Sequence, residues 1–340
     1  MRERVVDEIW ESGRPVARVA RALLAPLGWT FGVVVRCRNA AYDHEWLPQH
    51  SVALPTVSVG NLTVGGTGKT PVSAWLAARL RERGAAPGIV LRGYGGDETL
   101  VHRLLNPGIP VIEDPNRVEG IARARDEGAT VALLDDAFQH RRARRTADVV
   151  LLSADRYGPV RLLPAGPWRE PLSSLDRATV VVVTRKAASR IRALELLSHA
   201  RRYAPHAEGA IIHLSSDRLV ACSTGEARPA DGVSRSDVLA ISAIAAPRAF
   251  ESELRRLGAR VTGAAYRDHH DFTEAEAAWL AVRATSATWA VCTLKDAVKL
   301  TPLWPREAPP LWYLSQRVIV EEGGASLDAL IERLAPQVTS

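Results

Sequence analysis

The sequence predicts an α/β protein. It has a P-loop nucleotide-binding domain on a mainly parallel sheet, a smaller C-terminal α/β domain and an N-terminal apolar helix that associates with a membrane. Three observations predict this. Short apolar runs alternate with helical stretches from residue 52 onward. A glycine-rich turn ending in Gly68-Lys69-Thr70 joins one such run to a helix. An apolar stretch, Val16–Val35, carries arginines at both ends.

The chain has 340 residues, 46% of them hydrophobic and 24% charged, which suits two globular domains and argues against disorder. The boundaries read from the pattern are 1–50 for the apolar helix, 51–205 for the nucleotide-binding core and 206–340 for the C-terminal domain. Cys37, Cys222 and Cys292 lie far apart and form no C-x-x-C pair, so a zinc ribbon, a redox motif and a disulfide scaffold are excluded. The net charge is +6, almost all of it from arginine, since lysine occurs only at 69, 186, 295 and 299. A basic excess fits nucleic acid, an anionic membrane or a phosphorylated substrate, or simple compositional drift. Nucleic acid is disfavoured because no aromatic-interleaved platform accompanies the arginines.

The N-terminal stretch is interrupted by Arg18 and Arg21 and broken by Pro26 and Gly28. Its uninterrupted part, Ala22–Val35, falls short of the ~18 apolar residues that a span requires. Trp29 and Phe31, flanked by Arg14, Arg18, Arg21, Arg36 and Arg38, fit a helix lying in a membrane interface, or one packed on its own domain. Next, Val57-Ser58-Val59 reads as a buried strand, and Thr70–Arg83 as a helix with Val72, Trp75, Leu76 and Leu80 on one face. Pro71 is tolerated because the first helical turn has no internal N–H partner. Ile89–Leu91, Val131–Leu134, Val149–Leu152 and Val180–Thr184 continue a βαβ series. Beyond residue 205, strands are expected near Ile211–Leu214, Val238–Ser242, Val291–Thr293 and Leu311–Leu314. Helices are expected near Pro247–Leu257, Thr273–Arg283 and Ser326–Leu334. Trp279 and Trp289 read as packing residues, and Arg141, Arg142, Arg144 and Arg145 as a solvated helix face or an anion contact.

The turn Thr63-Val64-Gly65-Gly66-Thr67-Gly68-Lys69-Thr70 has the context a phosphate loop needs: a strand before it and a helix after. Its glycines let backbone N–H groups turn toward phosphate oxygens, and the helix N-terminus adds positive charge. Lys69 would reach the β- and γ-phosphates, and Thr70 would ligate Mg²⁺. The strict G-x-x-x-x-G-K-[ST] pattern requires glycine at 63, where this chain has Thr63, so the loop is a variant. The run Val131–Leu134 ends in Asp135-Asp136. Acids at the carboxyl end of a strand hold Mg²⁺ opposite a P-loop, or cap a following helix. Together these elements imply Mg²⁺ and a nucleoside triphosphate but name no acceptor.

Longer motifs narrow the reading. Gly60–Pro71, Arg92-Gly93-Tyr94-Gly95-Gly96, Asp135-Asp136-Ala137-Phe138-Gln139-His140 and Pro164–Pro171 resemble the tetraacyldisaccharide 4′-kinase (lipid A 4′-kinase) family. Asp268-His269 and Thr293-Leu294-Lys295-Asp296 continue the series in that family's order. The resemblance implies a kinase at the cytoplasmic face of the bacterial inner membrane. It would transfer the γ-phosphate of ATP to the 4′-hydroxyl of a lipid A disaccharide precursor. It implies Lys69 and Thr70 as phosphate lysine and Mg²⁺ threonine, Asp135 and Asp136 as the metal acids, and Arg169 near phosphate. It also implies Asp97 as the base, working with His269. A sugar hydroxyl has a high pKa, so a positioned carboxylate assists its loss of a proton. Read from residues alone, Asp97 also fits a helix-capping role and His269 an ordinary surface histidine.

Four departures from the family pattern stand out. A loop between the R-G-Y-G and G-D-E elements is missing, and Thr99 replaces a proline. Ala137 replaces a glycine, Leu294 replaces a glutamate, and Ala243–Pro247 replaces a glycine-containing turn. An alanine at 137 demands an ordinary backbone angle there, or costs stability if φ is positive. A competing reading from the loop alone is a P-loop switch or metallochaperone-type NTPase acting through a protein partner. The sequence leaves the oligomeric state open.

Overall fold

The computed structural model describes residues 6, 9–10, 12–93 and 96–335. Tyr94 and Gly95, part of one family-like motif, lie outside the described residues, as do 1–5, 7, 8, 11 and 336–340. The chain divides into two compact units. The larger takes in residues up to 93, His102–Leu214 and the chain from Val318. The smaller holds residues 96–101 and Ser215–Arg317.

In the larger unit, helix α1 (Pro15–Asp43) precedes β1 (Thr56–Asn61), α2 (Lys69–Glu82) and β2 (Pro87–Leu91). Helix α3 (Asp97–Leu105) starts in the smaller unit and ends in the larger one. Then come β3 (Val111–Glu113), α4 (Arg117–Asp126), β4 (Val131–Asp135), β5 (Ala147–Ser153), β6 (Val180–Arg185), α5 (Arg190–Arg201) and β7 (Glu208–Ala221). The strands order as β7-β6-β5-β1-β4-β2-β3, every pair parallel. β1 lies at the centre of this order and is buried on both faces along its whole length, Thr56, Ser58 and Asn61 included. Its neighbour β4 is in register so that Val59 faces Asp135. The acid therefore reaches the carboxyl edge of the sheet beside the turn that leaves β1, at the point where the strand order reverses. Val57, Val59, Leu76, Leu80, Leu133 and Leu151 form the core beneath this edge.

The smaller unit takes the later part of β7, then β8 (Ala227–Pro229), β9 (Asp237–Ser242), α6 (Pro247–Arg256), β10 (Arg260–Ala265) and α7 (Glu274–Ala284). β11 (Trp289–Cys292), α8 (Leu294–Leu300) and the first part of β12 (Leu311–Glu322) complete it. β10, β9, β11 and β12 run parallel in that order, and β8 is antiparallel to β7. Thr273 and Glu276 form a reciprocal capping box that starts α7. Within β12, at Val318, the chain returns to the larger unit, where α9 (Gly324–Leu334) adds Leu327, Leu330 and Ile331 to that unit's core. The units thus part at Leu214/Ser215, inside β7, where the sequence pattern places a boundary at 205/206.

Helix α1 corrects one expectation. It runs unbroken through Pro26 and Gly28 for 29 residues, long and apolar enough by length and composition to cross a membrane. A proline inside a helix forfeits one backbone bond. The helix persists because its glycines lie flat against the 162–165 segment: a methyl at Gly28 would sit 3.3 Å from the Leu162 carbonyl oxygen. At Gly32 it would sit 2.7 Å from Leu162 Cδ1. Val16, Val19, Leu23, Leu27, Trp29, Val33 and Val34 remain exposed. At its C-terminal end the helix is tied by polar contacts. Arg38 donates to the Gln139 carbonyl (2.7 Å), Asn39 to Glu170 (2.9 Å), and Arg141 reaches Asp43 (2.7 Å).

Two further expectations change. Trp279 is 54% exposed, with Arg283 stacked over its ring, because its position on α7 faces away from the sheet. The arginine run 141–145 is not helical. Arg141 is buried against Asn39 and Asp43, and Arg145 pairs with Asp148 at 2.9 Å, so half of the run is structural.

Candidate active site

In the larger unit the turn after β1 is pinned from several directions. Val64 N–H donates to the Pro167 carbonyl (2.7 Å), Arg169 N–H donates to Leu62 (2.7 Å), and Thr63 bridges Trp168. The loop thereby acquires the 167–169 segment as an edge partner, which places Arg169 beside it. Asn61 donates to the Thr67 hydroxyl (2.8 Å), and Thr184 to the Thr67 carbonyl (2.8 Å). Gly68 opens α2 in the left-handed region (φ 84°) with no side-chain cap. A methyl there would strain this backbone and would also displace Leu214, whose Cδ1 it would meet at 2.4 Å. The helix start keeps its N–H dipoles for an anion.

Asp135 and Asp136 end β4 differently. Asp136 takes a left-handed backbone (φ 50°) and turns its carboxylate to cations. Arg169 Nη1 donates to both its oxygens at 3.0 and 3.1 Å, and Lys69 Nζ stands 3.7 Å away. Asp135 is buried at 3% exposure and accepts three hydrogen bonds. Ser73 Oγ (3.0 Å) and Asp136 N–H (3.0 Å) go to Oδ1, and His102 Nε2 (2.8 Å) goes to Oδ2. Burial alone would raise the Asp135 carboxyl. The His102 contact, the Lys69 charge and the Ser73 hydroxyl outweigh it and hold the group below its ordinary value.

The left-handed residue is thus Asp136 and not Ala137, so an alanine at 137 carries no backbone strain. Ala137 is fully buried in the cluster with Val90, Ile121 and Leu134, and its carbonyl caps the turn by accepting from His140 N–H (2.9 Å). His140 stands in a basic environment. Burial first, then Arg117, Arg145, Arg142 and Arg38, push it down to about 4.

In the smaller unit Asp97 opens α3 and is 2% exposed. Its Oδ2 lies 3.0 Å from His269 Nδ1, whereas Oδ1 is buried without a hydrogen-bond partner among the described residues. Burial would raise Asp97. The His269 hydrogen bond and the charges of Lys295, His269 and Lys299 reverse the sign and lower it. The same hydrogen bond raises His269. His269 holds a left-handed backbone (φ 53°), and its N–H donates to the Ala243 carbonyl (3.2 Å). Ala243 N–H in turn donates to both oxygens of the buried Asp296 (3.1 Å each), which also accepts from Thr293 Oγ1 (2.6 Å). The turn with alanines in place of glycine therefore works through Ala243's backbone, and Ala243 is not in the left-handed region. Lys295 Nζ donates to Glu98 (3.1 Å), next to Asp97. Leu294 begins α8 beside it. His270 is engaged elsewhere, with Glu276 at 3.0 Å and stacked on Tyr266, so His269 alone of the two meets Asp97.

The structure thus gathers Lys69, Thr70, Asp135, Asp136 and Arg169 with the 63–68 loop in one unit, and Asp97 with His269 in the other. His102 and Ser73, which hold Asp135, carry no motif signal. A lone histidine in an amphipathic helix and a serine inside α2 read as ordinary sequence. Only β4's register against β1 shows which carboxylate they meet.

Comparison with known proteins adds a second line. The profile of the family described as Tetraacyldisaccharide-1-P 4′-kinase (LpxK) matches residues 20–335. A Tetraacyldisaccharide 4′-kinase of Anaeromyxobacter dehalogenans (strain 2CP-C) is 37% identical over 338 residues, covering 87% of this chain and 86% of that one. The Halorhodospira halophila protein of that name is 34% identical, covering 97% and 96%. The crystal structure of LpxK from Aquifex aeolicus in complex with ATP superposes with a TM-score of 0.73. It shares 26% identity and covers 93% of this chain and 100% of that one.

Proposed function

We infer the function from one premise: the chain belongs to the tetraacyldisaccharide-1-phosphate 4′-kinase family. It is an ATP-dependent kinase that transfers the γ-phosphate to the 4′-hydroxyl of tetraacyldisaccharide 1-phosphate in lipid A biosynthesis, with Mg²⁺. The residues present suit that metal: a threonine hydroxyl and two carboxylates form a hard-oxygen set. Mg²⁺ held by Thr70, Asp135 and Asp136 would neutralise phosphate charge.

The assignment of roles is our proposal. The N–H groups at the start of α2 and Lys69 bind the β- and γ-phosphates. Arg169, now paired with Asp136, is held where it can turn to the transferred phosphoryl group. Asp97 accepts the proton of the 4′-hydroxyl, and His269 orients it. One observation carries the last assignment: His269 holds Oδ2 while Oδ1, buried, has no partner among the described residues. An acceptor hydroxyl supplies the hydrogen bond that this oxygen lacks.

We also propose that α1 seats the enzyme on the cytoplasmic face of the inner membrane. Seven large apolar side chains on it are exposed, with Trp29 at 81%, and the acceptor is a lipid. Leu23→Glu and Leu27→Glu together are expected to abolish co-sedimentation with phosphatidylglycerol-containing vesicles while ATP binding persists; retained sedimentation refutes the seat.

The kinase assignment is tested by transfer from γ-labelled ATP to tetraacyldisaccharide 1-phosphate in detergent micelles. Wild type transfers, and Lys69→Ala and Asp97→Ala do not. Hydrolysis of ATP without transfer, unaffected by Asp97→Ala, would point instead to a switch NTPase.

A further inference from the structure

His102 sits in the last turns of α3, wholly buried. Its Nε2 meets Asp135 Oδ2 at 2.8 Å, and since a carboxylate only accepts, Nε2 carries the hydrogen. The other ring nitrogen, Nδ1, is buried with no partner among the described residues. Stranding a polar atom is unfavourable, and an apolar side chain at this helix position would avoid it. The contact with Asp135 is what offsets that cost.

Asp135 shows what the contact does. A carboxylate offers about four lone-pair directions. Ser73 Oγ and Asp136 N–H occupy both on Oδ1, and His102 takes one on Oδ2. Donors on both oxygens fix the plane of the group, and a single direction on Oδ2 is left. Ser73 belongs to α2, Asp136 to the strand end and His102 to α3, so three separate elements set one carboxylate.

We propose that His102 is a positioning residue for the metal site: it orients Asp135 so that its last free lone pair serves Mg²⁺ or a water that Mg²⁺ holds. This rests on the reading of Asp135 as part of that site. His102 touches neither nucleotide nor acceptor. It acts as an outer-shell partner does, by fixing a ligand's orientation and basicity.

Side-chain reach supplies the test. Glutamine places an amide nitrogen near the position of imidazole Nε2, whereas asparagine stops near Nδ1 and cannot reach Asp135. His102→Gln, His102→Asn, His102→Leu and Asp135→Asn are compared in the full chain. The readouts are binding of a fluorescent ATP analogue with and without MgCl₂, thermal melting, and kcat and KM for transfer. His102→Asn and His102→Leu are expected to weaken the Mg²⁺-dependent gain in nucleotide binding by about 10–100-fold. Metal-free binding should stay unchanged, and His102→Gln should restore most of the gain. If the leucine variant does not fold, the two amides decide, since they differ in reach alone. Equal Mg²⁺ responses in the asparagine and glutamine variants would overturn the inference. So would metal-free binding that falls in step with metal-bound binding. If Asp135→Asn weakens the Mg²⁺ response while His102→Asn and His102→Leu leave it intact, His102 alone is wrongly assigned. If Asp135→Asn leaves the response intact, the metal-site reading itself fails.

Discussion

Two buried aspartates each meet a histidine, Asp135 in the larger compact unit and Asp97 in the smaller, and they differ in what the carboxylate has left to give. Asp135 accepts from three donors, which leave a single direction on Oδ2, and its histidine is wholly buried. Asp97 has one oxygen on His269 and one with no partner among the described residues, and its histidine is 41% exposed. The first arrangement fixes a direction. The second leaves an acceptor oxygen open, as the proposed base requires. Each is accompanied by one non-glycine residue in the left-handed region, Asp136 in one case and His269 in the other. Such angles persist only where the surroundings enforce them, and they gather at functional sites. The number of donors on each carboxylate is what distinguishes the proposed ligand from the proposed base, since both are buried aspartates beside a histidine.

The comparison breaks most directly at Asp97. Asp97→Asn keeps the shape and removes the proton acceptor, so kcat should fall by about 10²–10⁴. KM for ATP should change little, because the phosphate loop belongs to the other constellation. A steady-state assay with both substrates varied decides it. Comparable losses in kcat and in ATP affinity would mean that Asp97 serves the nucleotide and that the contrast drawn here is wrong.

The next effect is one of pH. In the native chain Asp97 is held low by the His269 hydrogen bond and three cationic charges, against the upward push of burial. His269→Ala removes the largest of the lowering influences, while burial, Lys295 and Lys299 remain. The Asp97 pKa should therefore rise, and the acidic limb of the kcat/KM profile should move to higher pH, with activity partly retained on the alkaline side. An unmoved limb would assign that limb to another group. Stability carries the same sign. The lowered Asp97 contributes stability above its unfolded pKa, and loses it as pH falls through the folded value. The raised His269 contributes below its unfolded pKa, and loses it as pH rises through the folded value. The pair thus stabilises fully between the unfolded pKa values of Asp97 and His269, and His269→Ala should lower the urea midpoint most within that window.

Much of the larger unit was legible in the sequence because its strands are buried on both faces and read as unbroken apolar runs, as at Val131–Leu134 and Val180–Val183. The phosphate loop was legible because glycine, lysine and threonine must occur at fixed offsets. Strand β3, only three residues long, and β10, whose Arg260, Thr262 and Gly263 are exposed, gave no such run and were not anticipated. Helix α1 was misjudged at Pro26, because a backbone rule counts the lost hydrogen bond but not the 162–165 segment against which Gly28 and Gly32 pack. At the site, Lys69, Asp135 and Asp136 announce themselves by spacing. Asp97 and His269, 172 positions apart in the numbering, were reached only through the family resemblance. His102 and Ser73 were invisible, since their role exists only in register and burial.

The smallest effect concerns the turn that separates the two acids' roles. A glycine at 137 would be expected if the chain needed a left-handed residue there, yet Asp136 supplies it and Ala137 does not. The methyl of Ala137 is fully buried against the cluster under β4. Ala137→Gly should therefore destabilise the chain by about 1–2 kcal/mol, from added freedom in the unfolded chain and from the lost buried methyl. The urea midpoint should drop with its slope unchanged. Transfer activity at low temperature should stay close to wild type, because Asp136 keeps its own backbone angle and its contacts with Arg169 and Lys69. A neutral or stabilising result would mean that the strain is shared across 136 and 137. The orientation of Asp136 would then depend on its neighbour, and the contrast between a fixed ligand and a free base would have to include the turn as well as the donors.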